Sequence, residues 1–251
     1  MESKLAVQLF TVRDLFAQDS KKTLQTIKDI GYSAVEFGGL GDWKAEDIRA
    51  QLDDIGLKAV GAHMLVERLE NELSTVITEA KTLGLEYVTC PWLPPERRNA
   101  EDYRALVPIL KNAAEACNDN GFTFCYHHHD FELLPVFGST TALEFLAQEL
   151  DASLVKFEID VYWAAVAGLN PIAFLTQYAG RVPLIHLKDM TKDEARTFAE
   201  VGTGSLDIAG ILETAKRIGV QWGIVEQDIC ERPPLESLEM SFDNLQKLGM
   251  G

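Results

Sequence analysis

The stretch TLGLEYVTC, residues 82–90, contains the pattern that decides the fold. A glycine ends a helical segment and a short apolar run follows at once, which is typical of a helix C-cap leading into a buried parallel strand. The pattern recurs in four other places: DIGYSAVEF (29–37), DIGLKAVGA (54–62), DNGFTFCYH (119–127) and RIGVQWGIV (217–225). The repeating unit is therefore predicted to be a strand joined to a helix.

Eight short apolar runs are predicted to be strands, and amphipathic segments of helical period separate them. The runs are 5–10, 33–38, 57–63, 87–92, 122–128, 155–160, 183–188 and 222–227. Eight strand–helix units in 251 residues predict an α/β fold, a single (β/α)8 TIM barrel that spans residues 1–251 as one domain. A doubly wound sheet is the alternative, but no glycine-rich phosphate loop follows the first run.

Composition narrows the class of partner. The formal charge of −16 disfavours binding to nucleic acid or to an anionic membrane surface. Four dispersed cysteines are typical of free thiols in a reducing compartment. Neither a signal peptide nor a run of ~20 apolar residues is apparent. We therefore expect a cytoplasmic protein with no membrane and no nucleic-acid partner.

Polar residues gather where the predicted strands end, which is where TIM barrels carry their chemistry. The last four units contain HHHDFE, FEIDVYW, IHLKD and IVEQD, and each supplies a carboxylate or an imidazole. A single such residue is more often a helix cap or a hydrogen-bond partner. Four on consecutive strands favour one divalent metal ion, and Mn, Mg, Co and Zn are all compatible with mixed oxygen and nitrogen ligands.

Six motifs follow one another along the chain: VQLFTVRD (7–14), YHHHDFE (126–132), DVYWAAVAGLNP (160–171), GRVPLIHLKD (180–189), VGTGSLD (201–207) and VEQD (225–228). With these motifs in this order, the whole chain resembles the xylose-isomerase-like barrels, a group of sugar isomerases, epimerases and inosose dehydratases also described as sugar phosphate isomerase/epimerase. The resemblance implies one metal ion held by Glu, Asp, His and Glu from strands five to eight, and Asp160, His186 and Glu226 match the last three.

The strand-five ligand is where the chain departs from these relatives. His127 stands where many of them have the glutamate, and Glu132 is the nearest glutamate downstream. We favour Glu132 as the fourth ligand; the alternative is that His127 or His129 replaces it and shifts the metal preference towards Zn or Co. Strand alternation predicts that His128 faces away from its two neighbours.

The resemblance also implies a mechanism. A base removes a proton next to a substrate carbonyl and the metal ion stabilises the resulting enediolate, with Glu226 and Glu132 as base and acid. Alternation places Lys188 on the same side as His186, inside the barrel mouth. Lys188 can clamp a substrate oxyanion, protonate a leaving hydroxyl, or form a salt bridge to Glu158 or Asp228.

Further residues are candidates for substrate contacts: His63, His127, His129, Trp163 and Gln8. Trp163 stands where ketose epimerases often carry a substrate-binding histidine, and it either stacks on a sugar or covers the barrel. The glycines of VGTGSLD can cradle a phosphate, but a tight turn followed by a helix cap is the favoured interpretation.

The sequence thus predicts a metal-dependent isomerase or epimerase that acts on a sugar or keto-sugar. A lyase or dehydratase acting on a keto-cyclitol or an oxidised glycoside is the alternative, since HLKD resembles the inosose dehydratase branch. A non-catalytic sugar-binding barrel is a third possibility. The acidic charge disfavours the DNA-repair endonuclease branch, and a homo-oligomer is common among relatives.

Overall fold

Eight parallel strands close into a barrel in the computed structural model, which describes residues 4–250. The strands follow one another around the barrel in chain order, and β8 pairs with β1 to close it. This confirms the predicted (β/α)8 barrel and all eight predicted strands. The strands are β1 Lys4–Gln8, β2 Ala34–Phe37, β3 Lys58–His63, β4 Tyr87–Cys90, β5 Thr123–His127, β6 Val155–Asp160, β7 Leu184–Leu187 and β8 Trp222–Val225.

Helices surround the barrel and alternate with its strands. They are α1 Arg13–Gln18, α2 Ser20–Ile30, α3 Ala45–Ile55, α4 Val66–Asn71, α5 Leu73–Leu83, α6 Ala100–Asp119, α7 Ala142–Glu149, α8 Val161–Val166, α9 Pro171–Gln177, α10 Ile208–Ile218 and α11 Pro234–Lys247. Short 3-10 turns occupy Leu9–Val12, Pro95–Arg97 and Phe131–Leu133. Two small antiparallel pairs join Pro135–Phe137 to Thr140–Thr141 and Asp189–Met190 to Phe198–Ala199. Within residues 4–250, none of the helices is long and apolar enough to cross a membrane.

The glycine punctuation acts as predicted from the sequence. Gly84 ends α5 in the left-handed conformation, with φ of +68°, and its N–H donates to the carbonyls of Ala80 and Lys81. Gly219 ends α10 in the same way, with φ of +88°. Residues with a Cβ rarely adopt this conformation, so glycine lets the chain turn directly from helix into strand.

The barrel interior is apolar towards the amino ends of the strands and polar at their carboxyl ends. Side chains alternate along a strand, so the inward positions of one strand are two residues apart. The layers towards the amino ends contain eight buried residues: Ala6, Ala34, Val60, Tyr87, Cys125, Leu184, Trp222 and Ile224. The next inward positions along these strands include Gln8, Glu36, His127 and His186. The inward-facing polar and titratable side chains of these strands therefore lie at the carboxyl ends.

Asp189 organises the loop that follows β7. Its Oδ2 accepts hydrogen bonds from the N–H groups of Gly202 and Gly204, both at 3.0 Å. Its Oδ1 accepts from the N–H groups of Leu206 at 3.1 Å and Met190 at 2.8 Å. Asp207 caps α10 by accepting a hydrogen bond from the N–H of Gly210, which agrees with the helix cap favoured for VGTGSLD. The glycine-rich loop thus surrounds a carboxylate of the chain itself.

Glu132 has a similar role after β5. Its Oε1 accepts a hydrogen bond from the Tyr126 hydroxyl at 3.0 Å, and its Oε2 accepts one from the His129 N–H at 2.8 Å. The side chain is fully buried, and burial raises the pKa of its carboxyl to about 8. Glu132 therefore holds the turn after β5 and is largely protonated at neutral pH.

Replacing Asp189 with Asn should destabilise the protein. The amide offers one acceptor oxygen where the carboxylate offers two, so backbone N–H groups of the loop lose their acceptor. Each buried donor left unsatisfied costs about 1–3 kcal/mol, and we expect the free energy of unfolding to fall by about 2 kcal/mol or more. Denaturant unfolding measures this loss. Asp193→Asn, in the exposed turn of the same hairpin, is the control and should change stability by less than about 0.5 kcal/mol. Equal stability of the two variants would contradict the role of Asp189.

Replacing Glu132 with Gln should change the pH dependence of stability. An unfolded glutamate has a pKa of about 4.3, whereas burial raises the pKa of folded Glu132 to about 8. Between these values the unfolded chain releases a proton that the folded chain keeps, so rising pH lowers the free energy of unfolding by roughly 1.4 kcal/mol per pH unit. Gln does not ionise, so Glu132→Gln should gain stability relative to the wild-type protein between pH 5 and pH 8.

Denaturation curves at pH 5, 6.5 and 8 measure this trend. The exposed Glu149 of α7 supplies the matched control, because Glu149→Gln changes a side chain that is already in water. Its stability should run parallel to the wild-type curve. A Glu132→Gln curve that is also parallel would show that this carboxyl ionises freely in the folded protein.

Candidate metal centre

A cavity of about 380 Å³ opens at the carboxyl ends of the strands. Its polar floor consists of His63, His127, His129, Lys188, Glu226 and Asp228. Its apolar wall includes Phe10, Leu65, Pro91 and Trp92, of which Phe10, Leu65 and Trp92 are exposed. The cavity therefore combines titratable groups at the bottom with an apolar entrance, an arrangement typical of small-molecule sites.

Asp160, His186 and Glu226 form one group of potential ligands, which we call the outer set. Each offers one ligand atom, and these atoms lie within 4.8 Å of one another. His186 Nδ1 is 2.8 Å from Glu226 Oε2 and 4.0 Å from Asp160 Oδ2. The three residues predicted as metal ligands on strands six to eight are thus brought together, and their role as ligands stays a prediction.

The environment of the outer set suits metal binding. Asp160 Oδ1 caps α8 by accepting from the N–H groups of Tyr162 and Trp163, which leaves Oδ2 directed to the set. His186 Nε2 lies 2.9 Å from Glu36 Oε2. When Nε2 donates its proton to Glu36, Nδ1 presents a lone pair to the set, the arrangement usual for histidine ligands supported by a carboxylate. The donor set therefore fits a divalent ion.

Lys188 extends into the same space. Its Nζ is 2.7 Å from Glu226 Oε2, 2.7 Å from Asp228 Oδ1 and 3.1 Å from Asp160 Oδ2. The predicted inward direction is confirmed; of the two salt bridges considered, the one to Asp228 forms, and the structure pairs the ammonium with Asp160 and Glu226 in addition. Burial opposes its charge, but the three carboxylates outweigh burial and hold the pKa of Lys188 above its usual range. An ion in the outer set would compete with Lys188 for Asp160 and Glu226, and the ammonium would keep its contact with Asp228.

A second group of potential ligands, the inner set, comprises His63, His127, Glu158 and the other face of His186. Glu158 Oε2 is 2.9 Å from His63 Nε2 and 3.2 Å from His127 Nδ1. Glu158 Oε1 is 3.4 Å from His186 Nε2. The sequence singled out His63 and His127 as substrate contacts, but it did not predict that they converge on Glu158.

Glu132 does not join either set. One of its oxygens accepts a hydrogen bond from the Tyr126 hydroxyl and the other accepts one from the His129 N–H. The 3-10 turn at Phe131–Leu133 directs the side chain to these donors. The prediction of Glu132 as a metal ligand and catalytic acid is therefore not supported by its position. Of the alternatives at the end of strand five, His127 reaches the inner set and His129 lines the cavity.

The other predicted contact residues have mixed positions. His63, His127 and His129 line the cavity, whereas Gln8 is fully buried and donates to Glu36 Oε2 at 2.9 Å. Trp163 lies with its ring 5.7 Å from Lys188 Nζ, so it covers the lysine. Gln8 and Trp163 are not among the cavity-lining residues in the described part of the chain.

His128 faces outward, as strand alternation predicted. Its ring contacts Phe174, and its Nε2 accepts a hydrogen bond from the Asp160 N–H at 3.2 Å. Burial lowers its pKa to about 4, so it is neutral at physiological pH. His128 thus supports the backbone of Asp160 from behind.

Glu36 and Glu158 are residues at the predicted strand ends to which the sequence analysis gave no metal-binding or catalytic role. Both are fully buried and contact imidazoles. The segment FEID does contain a signal: Glu158 and Asp160 are two residues apart, so alternation places both carboxylates inside the barrel. A carboxylate in the middle of an otherwise apolar strand is unusual enough to mark a site.

The cavity imidazoles differ in charge. Burial opposes protonation of His63, but the carboxylates of Glu36 and Glu158 raise its pKa to about 9. Burial, reinforced by the charge of Lys188, lowers the pKa of His129 to about 3. The cavity therefore holds a protonated imidazole at His63 and a neutral one at His129, which can accept hydrogen bonds from substrate hydroxyl groups.

The chain is similar in sequence and in structure to several known proteins. An inosose dehydratase of Geobacillus kaustophilus (strain HTA426) is 27% identical, and the alignment covers 94% of this chain and 88% of that protein. Among solved structures, a sugar phosphate isomerase/epimerase from Parabacteroides distasonis matches with a TM-score of 0.84 at 22% identity, covering 98% of this chain and 94% of that one. An IOLI protein with a bound zinc atom matches with a TM-score of 0.78 at 18% identity, covering 98% and 97%.

These two structural likenesses establish the fold alone, because the sequence identities are low. The family is established by sequence: the model of the xylose isomerase-like TIM barrel matches residues 24–248. That range covers most of the barrel and includes every residue of the outer and inner sets. The chain belongs to the xylose isomerase-like TIM barrel family.

Proposed function

We propose that this protein is a metal-dependent dehydratase that removes water from a keto-cyclitol or a closely similar polyhydroxy ketone. The alternative set out from the sequence thereby takes the place of the isomerase or epimerase. Support comes from the curated relatives, since the inosose dehydratase of G. kaustophilus aligns with almost the whole chain. The cavity adds support because it holds an ammonium group next to a carboxylate.

The observation that carries the proposal is the position of Lys188. Its ammonium is buried at the cavity floor, 2.7 Å from Glu226. Moving a proton between neighbouring carbons requires a base and a stabilised oxyanion. Expelling a hydroxyl group also requires a donor for the departing oxygen, and Lys188 supplies one beside the base.

A divalent ion fits the outer set, held by Asp160, His186 Nδ1 and Glu226. When bound, the ion would polarise the substrate carbonyl and so acidify the neighbouring C–H group. Glu36 keeps the His186 imidazole in the required orientation through Nε2. His129 is neutral and lines the cavity, where it can position a substrate hydroxyl group.

Glu226 and Lys188 together can account for every proton that the reaction moves. Glu226 takes the proton from the carbon next to the carbonyl, and the C–O bond to the β-hydroxyl breaks as the C=C bond forms. Lys188 gives its proton to the departing hydroxyl, which leaves as water. The contact between Glu226 and Lys188 then returns the proton to the amine. The product is an enone, or its dione tautomer where the carbon that lost the proton carries a hydroxyl.

Incubation in deuterated water tests the function. The manganese- or zinc-loaded protein is incubated separately with an inosose and with a ketohexose, and both reactions are followed by NMR and by absorbance of the conjugated product. Loss of water from the inosose supports the proposal. Formation of a deuterated epimer or isomer without loss of water would replace it with the isomerase reading, and absence of any turnover or deuterium exchange with both substrates would overturn it.

Replacing Lys188 with Met should separate the two halves of the reaction. The variant keeps the base but lacks the donor, so we expect the rate of water loss to fall by about 100-fold or more. Exchange of the substrate C–H with deuterium should persist, because Glu226 is unchanged. NMR of the recovered substrate and product measures both rates in one sample.

Lys156→Met is the matched control, because Lys156 lies at the start of β6 and its Nζ bonds the carbonyl of Ala152 far from the cavity. It should dehydrate at the wild-type rate. Equal loss of exchange and of dehydration in Lys188→Met would show that the lysine acts before the C–H bond breaks, and so contradict its role as donor to the leaving group.

A further inference from the structure

The inner set has the spacing of a metal site in its own right. Ligands bound to a tetrahedral ion at about 2.0–2.1 Å lie about 3.3 Å from one another. Glu158 Oε2 is 2.9 Å from His63 Nε2 and 3.2 Å from His127 Nδ1. Three side chains from β3, β5 and β6 therefore already converge on a common centre.

Hydrogen bonds account for only part of this convergence: His63 Nε2 and Glu158 Oε2 form one, but several neighbouring atoms have none. His127 Nδ1, Glu158 Oε1 and Glu36 Oε1 are buried, and each lacks a hydrogen-bond partner among the described residues. Nearly all buried polar atoms in proteins have a partner. His127 is only 2% exposed, and its Nδ1 is directed at Glu158 without the geometry of a hydrogen bond. The unpartnered Nδ1 of His127, aimed at the inner set from a buried position, therefore points to a ligand bound there.

The excess of negative charge at the site also favours bound cations. Four buried carboxylates, Glu36, Glu158, Asp160 and Glu226, and the partly exposed Asp228 lie at this end of the barrel, where Lys188 supplies one ammonium. Five carboxylates and one ammonium carry a charge of minus four, which protonated imidazoles offset in part in the metal-free protein and which metal ions would offset once the imidazoles bind them as neutral ligands. Burying such an excess is costly without cations. One divalent ion halves the excess, and two divalent ions balance it.

The chemistry of the donors selects the kind of ion. Two imidazoles and one carboxylate suit zinc or cobalt better than magnesium, which prefers oxygen ligands. Three protein ligands leave a position for water, as in catalytic zinc sites. His63 and His127 line the cavity, so an ion and its water could enter from there.

We propose that His63 Nε2, His127 Nδ1 and Glu158 bind a second divalent transition-metal ion, of the zinc class, beneath the ion of the outer set. His186 does not have to bridge the two ions. Its Nδ1 faces the outer set while its Nε2 keeps a proton for Glu36, 2.9 Å away. The inner ion is thus held by residues that the outer set does not use.

Counting bound zinc tests the proposal without measuring activity. The wild-type protein is loaded with zinc, dialysed, and analysed for metal and protein, and we expect two ions per chain. His63→Gln should retain one ion, with the affinity of the other lowered about 100-fold or more. Asp160→Asn should also retain one ion, and the double variant none. Glu149→Gln is the control, because this exposed carboxylate of α7 belongs to neither set, and it should retain two ions.

One ion in the wild-type protein, still present in His63→Gln and lost in Asp160→Asn, would overturn the inner site. That result would mean that protonated imidazoles provide the missing positive charge. Two ions that persist in both variants would also overturn it, since binding would then lie elsewhere on the surface.

Anomalous diffraction at the zinc edge on wild-type crystals keeps the proposal falsifiable if a variant fails to fold. A peak between His63, His127 and Glu158 supports it, and its absence beside an occupied outer set overturns it. The result is also independent of the proposed function. Two ions without dehydration would leave the inner site standing, and dehydration with one ion would leave the function standing.

Discussion

Repulsion among carboxylates at the carboxyl end of the barrel is the constraint on which the rest of the site depends. Glu36, Glu158, Asp160 and Glu226 are all buried there, in a medium that screens their charges far less than water does. Such a group is tolerated only with positive charge among its members. Lys188 and the imidazoles of His63, His127 and His186 lie against these carboxylates, and the proposed metal ions would add further positive charge.

Much of this arrangement follows from strand periodicity and is therefore visible in the sequence. Glycine-terminated helices followed by apolar runs predict the barrel, and a two-residue period predicts which side chains enter it. That period correctly places Lys188 inside and His128 outside. It works because a parallel barrel strand is buried on both faces and cannot slip by one residue without turning every side chain to the wrong side.

The rest of the site depends on loop conformation and on contacts between strands that are far apart in the sequence. Strand periodicity predicts neither. Glu132 follows the last residue of β5 by five positions, and a 3-10 turn directs it to Tyr126 and the His129 N–H. The importance of Glu36 and Glu158 arises from partners on distant strands, since His186 and Glu36 are 150 residues apart. No local pattern reports such a contact, although a carboxylate in the middle of an apolar strand hints at one.

The carboxylate of Asp189 has a consequence for which ligands the loop after β7 can accept. Four backbone N–H groups of the kind that often cradle phosphate are already satisfied by a side chain of the same chain. A tethered group competes at an effective concentration that can reach the millimolar range or above. A free anion would have to displace this tethered carboxylate, so the loop offers no vacant cradle for a phosphate group.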